Sequence, residues 1–221
     1  MRVLVLTGPE SSGKSRLAQA LQARFGGLVV GEYVRHFIEQ QGRDTCYGDI
    51  PAIARGQLAW EDRARASAPP LLILDTHLLS NLLWSRTLFG DCPAWIEQAL
   101  LARRYDLHLL LDPRGMPWVD DGQRCQPQLD ERLRFHRACR DWLQGHGQAF
   151  VELHGDWPAR EHQALAQVGA GWTACWQAPR AAGRYCCQCR WMASSTPLAR
   201  SCSRAAANSS ARPSSFLPKA T

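Results

Sequence analysis

Apolar positions along the chain follow two alternating rhythms. Arg2 to Thr7 reads RVLVLT, an unbroken apolar run ending at Gly8, which predicts a strand buried on both faces. From about Lys14 the spacing changes to three and four: Leu17, Leu21 and Phe25 share one helical face, and Gly26 and Gly27 stop the helix. Leu28 to Val30 is a second short strand. Val34 to Gln40 and Ile50 to Arg65 read as helices, the latter ending before Pro69 and Pro70. Leu71 to Leu74 is a third strand, followed by helices over Leu78 to Leu88 and Pro93 to Arg103, with Pro93 in a first turn that tolerates it. Tyr105 to Leu111 is a fourth strand, Asp112 to Gln128 a polar ordered loop with three prolines, and Leu129 to Leu143 a helix. Ala149 to Leu153 closes the set of strands, and Trp157 to Val168 is the last helix.

Strand and helix alternate five times, which predicts an α/β fold: a five-stranded parallel sheet covered by helices on both faces. With 221 residues, one main domain over residues 1–170 is expected. From Gly171 the alternation vanishes into a stretch rich in Ser, Ala, Arg, Pro and Cys, so residues 171–221 are expected to be a disordered or adventitious tail, such as a frameshift would produce. A metal site at Cys186, Cys187 and Cys189 is disfavoured, since no histidine follows His162 and no second CxxC pair is present.

Charge changes the picture in one respect. The formal net charge is +6, but residues 162–221 hold seven basic and no acidic residues, leaving nineteen basic against twenty acidic in the body. A nucleic-acid partner is therefore not expected. The apolar runs are too short to span a bilayer and the N-terminus does not resemble a signal peptide, so no membrane partner and a cytoplasmic location are expected. Cys46, Cys92, Cys125 and Cys139 should then be free thiols.

The chemistry begins where the first strand ends. Gly8, Pro9, Glu10, Ser11, Ser12, Gly13, Lys14 and Ser15 match GxxxxGK[ST], directly after a strand and before a helix. Glycines let the backbone curl so that successive N–H groups and the helix N-terminus face a phosphate. The string predicts nucleoside triphosphate binding, with ATP as cofactor. Lys14 would bridge the β- and γ-phosphates, facing solvent until the nucleotide arrives, and the Ser15 hydroxyl would ligate Mg²⁺. Arg16 belongs with the same cofactor-binding set.

Asp75 ends the third strand, where a parallel sheet holds a Mg²⁺ shell or a catalytic base, although an Asp-Thr pair can also simply cap a helix. Glu32 stands in the corresponding place after the second strand, so two carboxylates should flank an acceptor, and either could take its proton. The loop Pro117, Trp118, Val119, Asp120, Asp121, Gly122, Gln123, Arg124 then offers charge and cover for a transferring phosphoryl group. Arg124 is the expected catalytic cation, whereas Arg132 and Arg137 read as a solvated helix face.

The segments GPESSGKS, GEYVRHFIE, GDIPAIARGQ, LDTHLL and PWVDDGQR, in this order and spacing, resemble the ribosylnicotinamide kinase domain of NadR-type proteins over about residues 1–168. The resemblance implies a P-loop kinase fold and ATP-dependent phosphorylation of a small nucleoside, nicotinamide riboside to nicotinamide mononucleotide. It also implies that Glu32, Tyr33, Arg35, Asp49, Gln57 and Asp75 surround the acceptor, while Trp118, Asp120 and Arg124 belong to a closing lid. Family members commonly carry an acid two places after the Asp75 equivalent, and here that place is His77. Because the chain begins at the P-loop strand, neither repression nor dinucleotide synthesis is expected. Another small-molecule kinase, or a nucleotide-dependent switch acting through a partner, are the alternative readings.

Overall fold

The computed structural model describes the backbone of residues 1–176 and the side chains of residues 1–169. The elements run β1 (Arg2–Thr7), α1 (Lys14–Phe25), β2 (Leu28–Val30), α2 (Tyr33–Gln41), a 3₁₀ turn (Tyr47–Asp49), α3 (Ile50–Ala66), β3 (Leu71–Asp75), α4 (Leu78–Phe89), α5 (Ala94–Leu101), β4 (Leu107–Leu111), α6 (Leu129–Gly145), β5 (Phe150–Leu153) and α7 (Trp157–Trp176). All strand pairings are parallel, in the order β2-β3-β1-β4-β5. This is the predicted five-stranded α/β sheet of a P-loop fold.

The continuous apolar runs are explained by helices on both faces of the sheet. Alternate strand residues Val3, Val5, Leu72, Leu74 and Leu110 face α3 to α6, meeting Ala54, Leu78, Leu82, Ile96 and Phe135 among others. Their neighbours Leu4, Leu6, Ile73, Leu109 and Leu153 face Leu17 and Leu21 of α1 and Ala164 and Val168 of α7. With both faces covered, polar side chains of the sheet are confined to the strand ends, apart from His108 of β4, which is buried beside His77, and Glu152 of the edge strand β5. From β1 the chain crosses to β2 on one side, and from β3 it crosses back to β4 on the other. The crevice of such a sheet therefore opens above the tips of β1 and β3, where Leu6 stands opposite Asp75.

Several boundaries differ from those predicted. Ladder pairing of β4 starts at Leu107 rather than Tyr105, because the Asp106 carboxylate takes the Val3 N–H at 2.8 Å and the Tyr105 ring turns onto His77. Pro93 is the N-cap of α5, which runs over Ala94–Leu101, instead of its first helical residue. The turn at Tyr47–Asp49 carries no apolar periodicity and was not expected. Helix α7 continues to Trp176, past both Val168 and the expected domain end at residue 170. The rest of the expected tail, including Cys186, Cys187 and Cys189, lies outside the described residues. Cys46, Cys92, Cys125 and Cys139 are free thiols. Among the described residues, no helix is long and apolar enough to cross a membrane.

The glycine pair before β2 sets how closely that strand approaches β3. Gly27 has φ +95°, and a Cβ there would lie 2.5 Å from the Leu71 carbonyl oxygen, whereas at Gly26, with φ +71°, a Cβ would meet nothing within 4 Å. Gly26→Ala should therefore cost only backbone strain, about 1–3 kcal/mol, because a positive φ paired with ψ −157° is a conformation essentially reserved for glycine. Gly27→Ala should lose about 1–3 kcal/mol more, from the clash. Urea denaturation of the two variants checks this, and equal losses would show that β2 can shift freely.

Candidate active site

The P-loop leaves β1 through a turn that only glycine allows. Gly8 has φ +136°, and a Cβ would sit 2.7 Å from the Leu111 carbonyl oxygen of β4. Gly13 N-caps α1 in the left-handed region without a side-chain hydrogen bond, so the first N–H groups of α1 face the loop's concavity. The Ser12 hydroxyl donates to the Pro9 carbonyl at 2.8 Å. Lys14 is not solvent-facing as predicted: its side chain is 9% exposed and lies 3.8 Å from Glu32 Oε1. Its ammonium donates to the carbonyls of Pro9 (2.9 Å) and Gly8 (3.2 Å). A buried ammonium needs acceptors, and the loop carbonyls and Glu32 provide them.

A residue that the sequence did not single out supports the loop from behind. Arg160 of α7 is fully buried, and its guanidinium donates to the carbonyls of Ser12 (3.1 Å), Gly155 (2.7 Å) and Arg114. Nothing in its local sequence marks it, since its partners are backbone carbonyls, two of them in loops distant along the chain. Arg16 lies over the Trp157 ring, 3.9 Å from the centroid. It thus faces α7 rather than the strand tips.

At the tip of β3, Asp75 is buried and its Oδ1 has no hydrogen-bond partner. Burial, and then the nearby Glu32 carboxylate, push its pKa up to about 6, against the pull of Lys14, the Ser15 hydroxyl hydrogen-bonded to it, and Arg35. Thr76 holds φ +82°, unusual for a β-branched residue, with its hydroxyl buried and unpartnered. His77 turns away from this group. It is fully buried against Tyr105, with Nε2 3.3 Å from Nε2 of His108, so it contributes no ligand beside Asp75.

Across from Asp75 an alternating chain of charge runs from the P-loop to the lid. Glu32, between Lys14 and Arg35, accepts from Arg35 Nε at 2.8 Å, and Arg35 Nη1 donates to Asp121 Oδ2 at 2.8 Å. Arg124 completes the chain, with Nε 3.2 Å from Asp121 Oδ2 and Nη1 donating to the Val119 carbonyl. Gln57 is buried, and both ends of its amide are engaged by backbone: Oε1 accepts from Tyr33 N–H at 2.8 Å and Nε2 donates to the Gly31 carbonyl at 3.1 Å. It clamps the residues flanking Glu32 rather than presenting its amide to an acceptor. Tyr33 sits edge-on to Trp60 and His36. Gly56 makes room for it, because a Cβ there would lie 2.0 Å from the Tyr33 ring.

Two expected residues are engaged elsewhere. Asp49 takes both terminal nitrogens of Arg43 and the Cys46 N–H, which hold its carboxyl well below the usual range. Asp120 accepts from the Gly122 N–H within its own turn, so the link to Arg35 falls to its neighbour Asp121. One solvated-face expectation also fails: Arg137 is exposed, but Arg132 is buried, because it lies on the inward stripe of α6 with Phe135, His136, Cys139 and Trp142.

The lid itself is fastened to the P-loop by the loop's variable positions. Glu10 accepts from Trp118 Nε1 (2.7 Å), Gln126 N–H (2.8 Å) and Cys125 N–H (3.1 Å). The Ser11 hydroxyl accepts from the Val119 N–H at 3.2 Å. The arrangement can bind an anion at the loop, place two carboxylates beside it, and cover both with a segment that carries Arg124.

A family model described as AAA domain matches residues 3–160. The chain belongs to this family. The trifunctional NAD biosynthesis/regulator protein NadR of Escherichia coli (strain K12) is 27% identical over 157 residues, covering 69% of this chain and 38% of that protein. The chain thus spans well under half the length of that curated relative. The structure of NadR protein in complex with NR superposes with a TM-score of 0.64 at 23% identity, over 76% of this chain and 51% of that one. Deoxyadenosine kinase from M. mycoides with bound dATP gives 0.53 at 11% identity, over 76% of this chain and all of that one. These likenesses show a P-loop fold of the nucleoside kinase type.

Two measurements test this geometry without any turnover. Asp75 has a raised folded-state pKa, so its ionised form opposes folding, and the penalty is complete above about pH 6 and absent below the unfolded value near 4. In chelator, Asp75→Asn should therefore stabilise the protein at pH 7.5 by up to about 3 kcal/mol. The gain should shrink towards pH 4, and a pH-independent change measured by denaturation would contradict it. Glu10→Ala should release the lid, speeding amide exchange at Cys125 and Gln126 by about tenfold or more, since bonds to a carboxylate contribute about 1.5–3 kcal/mol. Unchanged exchange would mean that the lid is held elsewhere.

Proposed function

We propose that the chain is an ATP-dependent kinase that phosphorylates a small nucleoside, with nicotinamide riboside to nicotinamide mononucleotide as the reaction. The observation that carries this reading is the pair of carboxylates, Glu32 and Asp75, at the strand tips beside Lys14, covered by a lid bearing arginine. A protein that only bound nucleotide would have no use for the second carboxylate. The likeness to NadR supports the choice of riboside, and the likeness to deoxyadenosine kinase supports the wider class.

In this reading the P-loop N–H groups of Glu10 to Ser15 and the Lys14 ammonium hold the triphosphate. The residues present fit Mg²⁺: the Ser15 hydroxyl and the buried Asp75, whose Oδ1 is unpartnered, supply hard oxygen ligands. When bound, that ion neutralises charge on the phosphate oxygens. Among the described residues no cluster of three or more His, Cys, Asp or Glu side chains could hold a metal. The cation would thus be shared with the nucleotide. Glu32 orients the attacking 5′-hydroxyl and takes its proton as the new O–P bond forms and the bond to ADP breaks. Because the transition state is loose, positioning contributes more than the base itself. Arg35 and Gln57 hold Glu32, and Tyr33, Trp118 and the lid enclose the acceptor.

The tie between Glu10 and the lid would equally suit a nucleotide-dependent switch, and acceptor-dependent turnover separates the two. With ATP and Mg²⁺, a panel of nucleosides should show ADP formation that depends on nicotinamide riboside. Lys14→Ala should abolish it. Glu32→Gln should lower riboside turnover by about 10²-fold while leaving ATP affinity essentially unchanged. Hydrolysis indifferent to every nucleoside would favour the switch, and equal damage to ATP binding in Glu32→Gln would misplace the acceptor.

A further inference from the structure

Helix α6 is fastened to the P-loop at two places. Near its start, the Gln126 N–H is held by Glu10, and two residues later the Gln128 carbonyl accepts from the Arg132 N–H at 3.3 Å. Farther along, Cys139 Sγ accepts from the Thr7 hydroxyl at 4.0 Å, one residue before the loop begins. Arg132 lies between these fastenings. It is two turns, about 10 Å, from Cys139 on the lid side, and on the same inward stripe. It is 5% exposed, and neither Nε nor Nη1 has a hydrogen-bond partner among the described residues.

Two guanidinium nitrogens left in this state are costly, because burial removes their water and no protein acceptor replaces it. The neighbouring cations are already engaged. Lys14 has Gly8, Pro9 and Glu32, Arg35 has Glu32 and Asp121, Arg124 has Val119 and Asp121, and Arg160 has three carbonyls. Six residues before Arg132, Gln126 is also buried with Oε1 unpartnered. A planar fork of N–H donors on a helix tied to the phosphate-binding loop and its strand on either side is suited to the terminal phosphate of a nucleoside triphosphate.

We propose that Arg132, rather than the lid residue Arg124, is the catalytic arginine, donating to the γ-phosphate oxygens and holding their charge as the phosphoryl group passes to the acceptor. No proton moves in this step: the guanidinium stays protonated while the O–P bond to ADP breaks and the bond to the acceptor oxygen forms. The proposal rests on the P-loop binding a triphosphate, and not on which nucleoside accepts.

The test compares Arg132→Met with wild type in three measurements: melting temperature without nucleotide, affinity for ATP against ADP in Mg²⁺, and turnover. Because an unpaired buried charge is replaced by an apolar chain of similar reach, Arg132→Met should melt no lower than wild type. Its preference for ATP over ADP should fall by about tenfold or more, as expected for loss of a charge-assisted contact to the third phosphate. Where wild type transfers to a nucleoside, turnover should fall by about 10³-fold or more. An unchanged ATP preference overturns the proposal. So does a variant that melts several degrees lower, which would make Arg132 a structural residue. Failure of the kinase reading is distinguishable, because it appears as a wild type without acceptor-dependent turnover, whereas the ATP preference needs no acceptor.

Discussion

The architecture of the strand tips follows from one constraint, the placing of the Lys14 ammonium in a largely buried position at the end of a parallel sheet. Water cannot solvate it there, so two loop carbonyls and the Glu32 carboxylate surround it. Glu32 needs a second cation in turn, which is Arg35, and Arg35 reaches the lid through Asp121. Asp75, the other acid of the group, carries the imbalance. Burial first, and then the Glu32 carboxylate, raise its pKa, a condition that a further cation would relieve. In a nucleotide-binding site this is expected: the protein holds charges arranged for a ligand and is less stable for it.

The P-loop does more than cradle an anion. Its glycines and Lys14 are dictated by phosphate geometry, but the positions between them are free to vary, and here they fasten a remote segment. Glu10 gathers three donors from residues 118–126, and Ser11 takes a fourth from Val119. The loop and the lid are thereby linked directly, without an intervening domain. Arg160 opposes this from the other side, fixing the Ser12 carbonyl to the backbones of Arg114 and Gly155. The loop is thus clamped between a rigid buttress on α7 and a polar cover that can be released.

His77 illustrates how a departure from a family's pattern is absorbed. The resemblance implies an acid two places after Asp75, where this chain has His77. The side chain instead fills a dry pocket with Tyr105 and His108, where burial holds the pKa of both imidazoles down. The backbone immediately before it passes through Thr76 at φ +82°.

The sequence by itself determined the elements and their kind, because each depends on short-range chemistry: apolar runs for doubly covered strands, i+3 and i+4 spacing for helices, glycine where φ is positive. It also determined the loop that binds phosphate and the two strand-end acids, since the residue after a parallel strand lies at the sheet's open edge. What the tertiary structure decided is which polar side chains are spent on one another. Gln57 and Asp49 are engaged by backbone and by Arg43, and Asp121 rather than Asp120 meets Arg35. Arg160 and Arg132 are buried where composition marked neither. Such choices depend on partners up to 148 residues away. Charge pairing in a buried site is set by distance in space, to which the order of residues along the chain is blind.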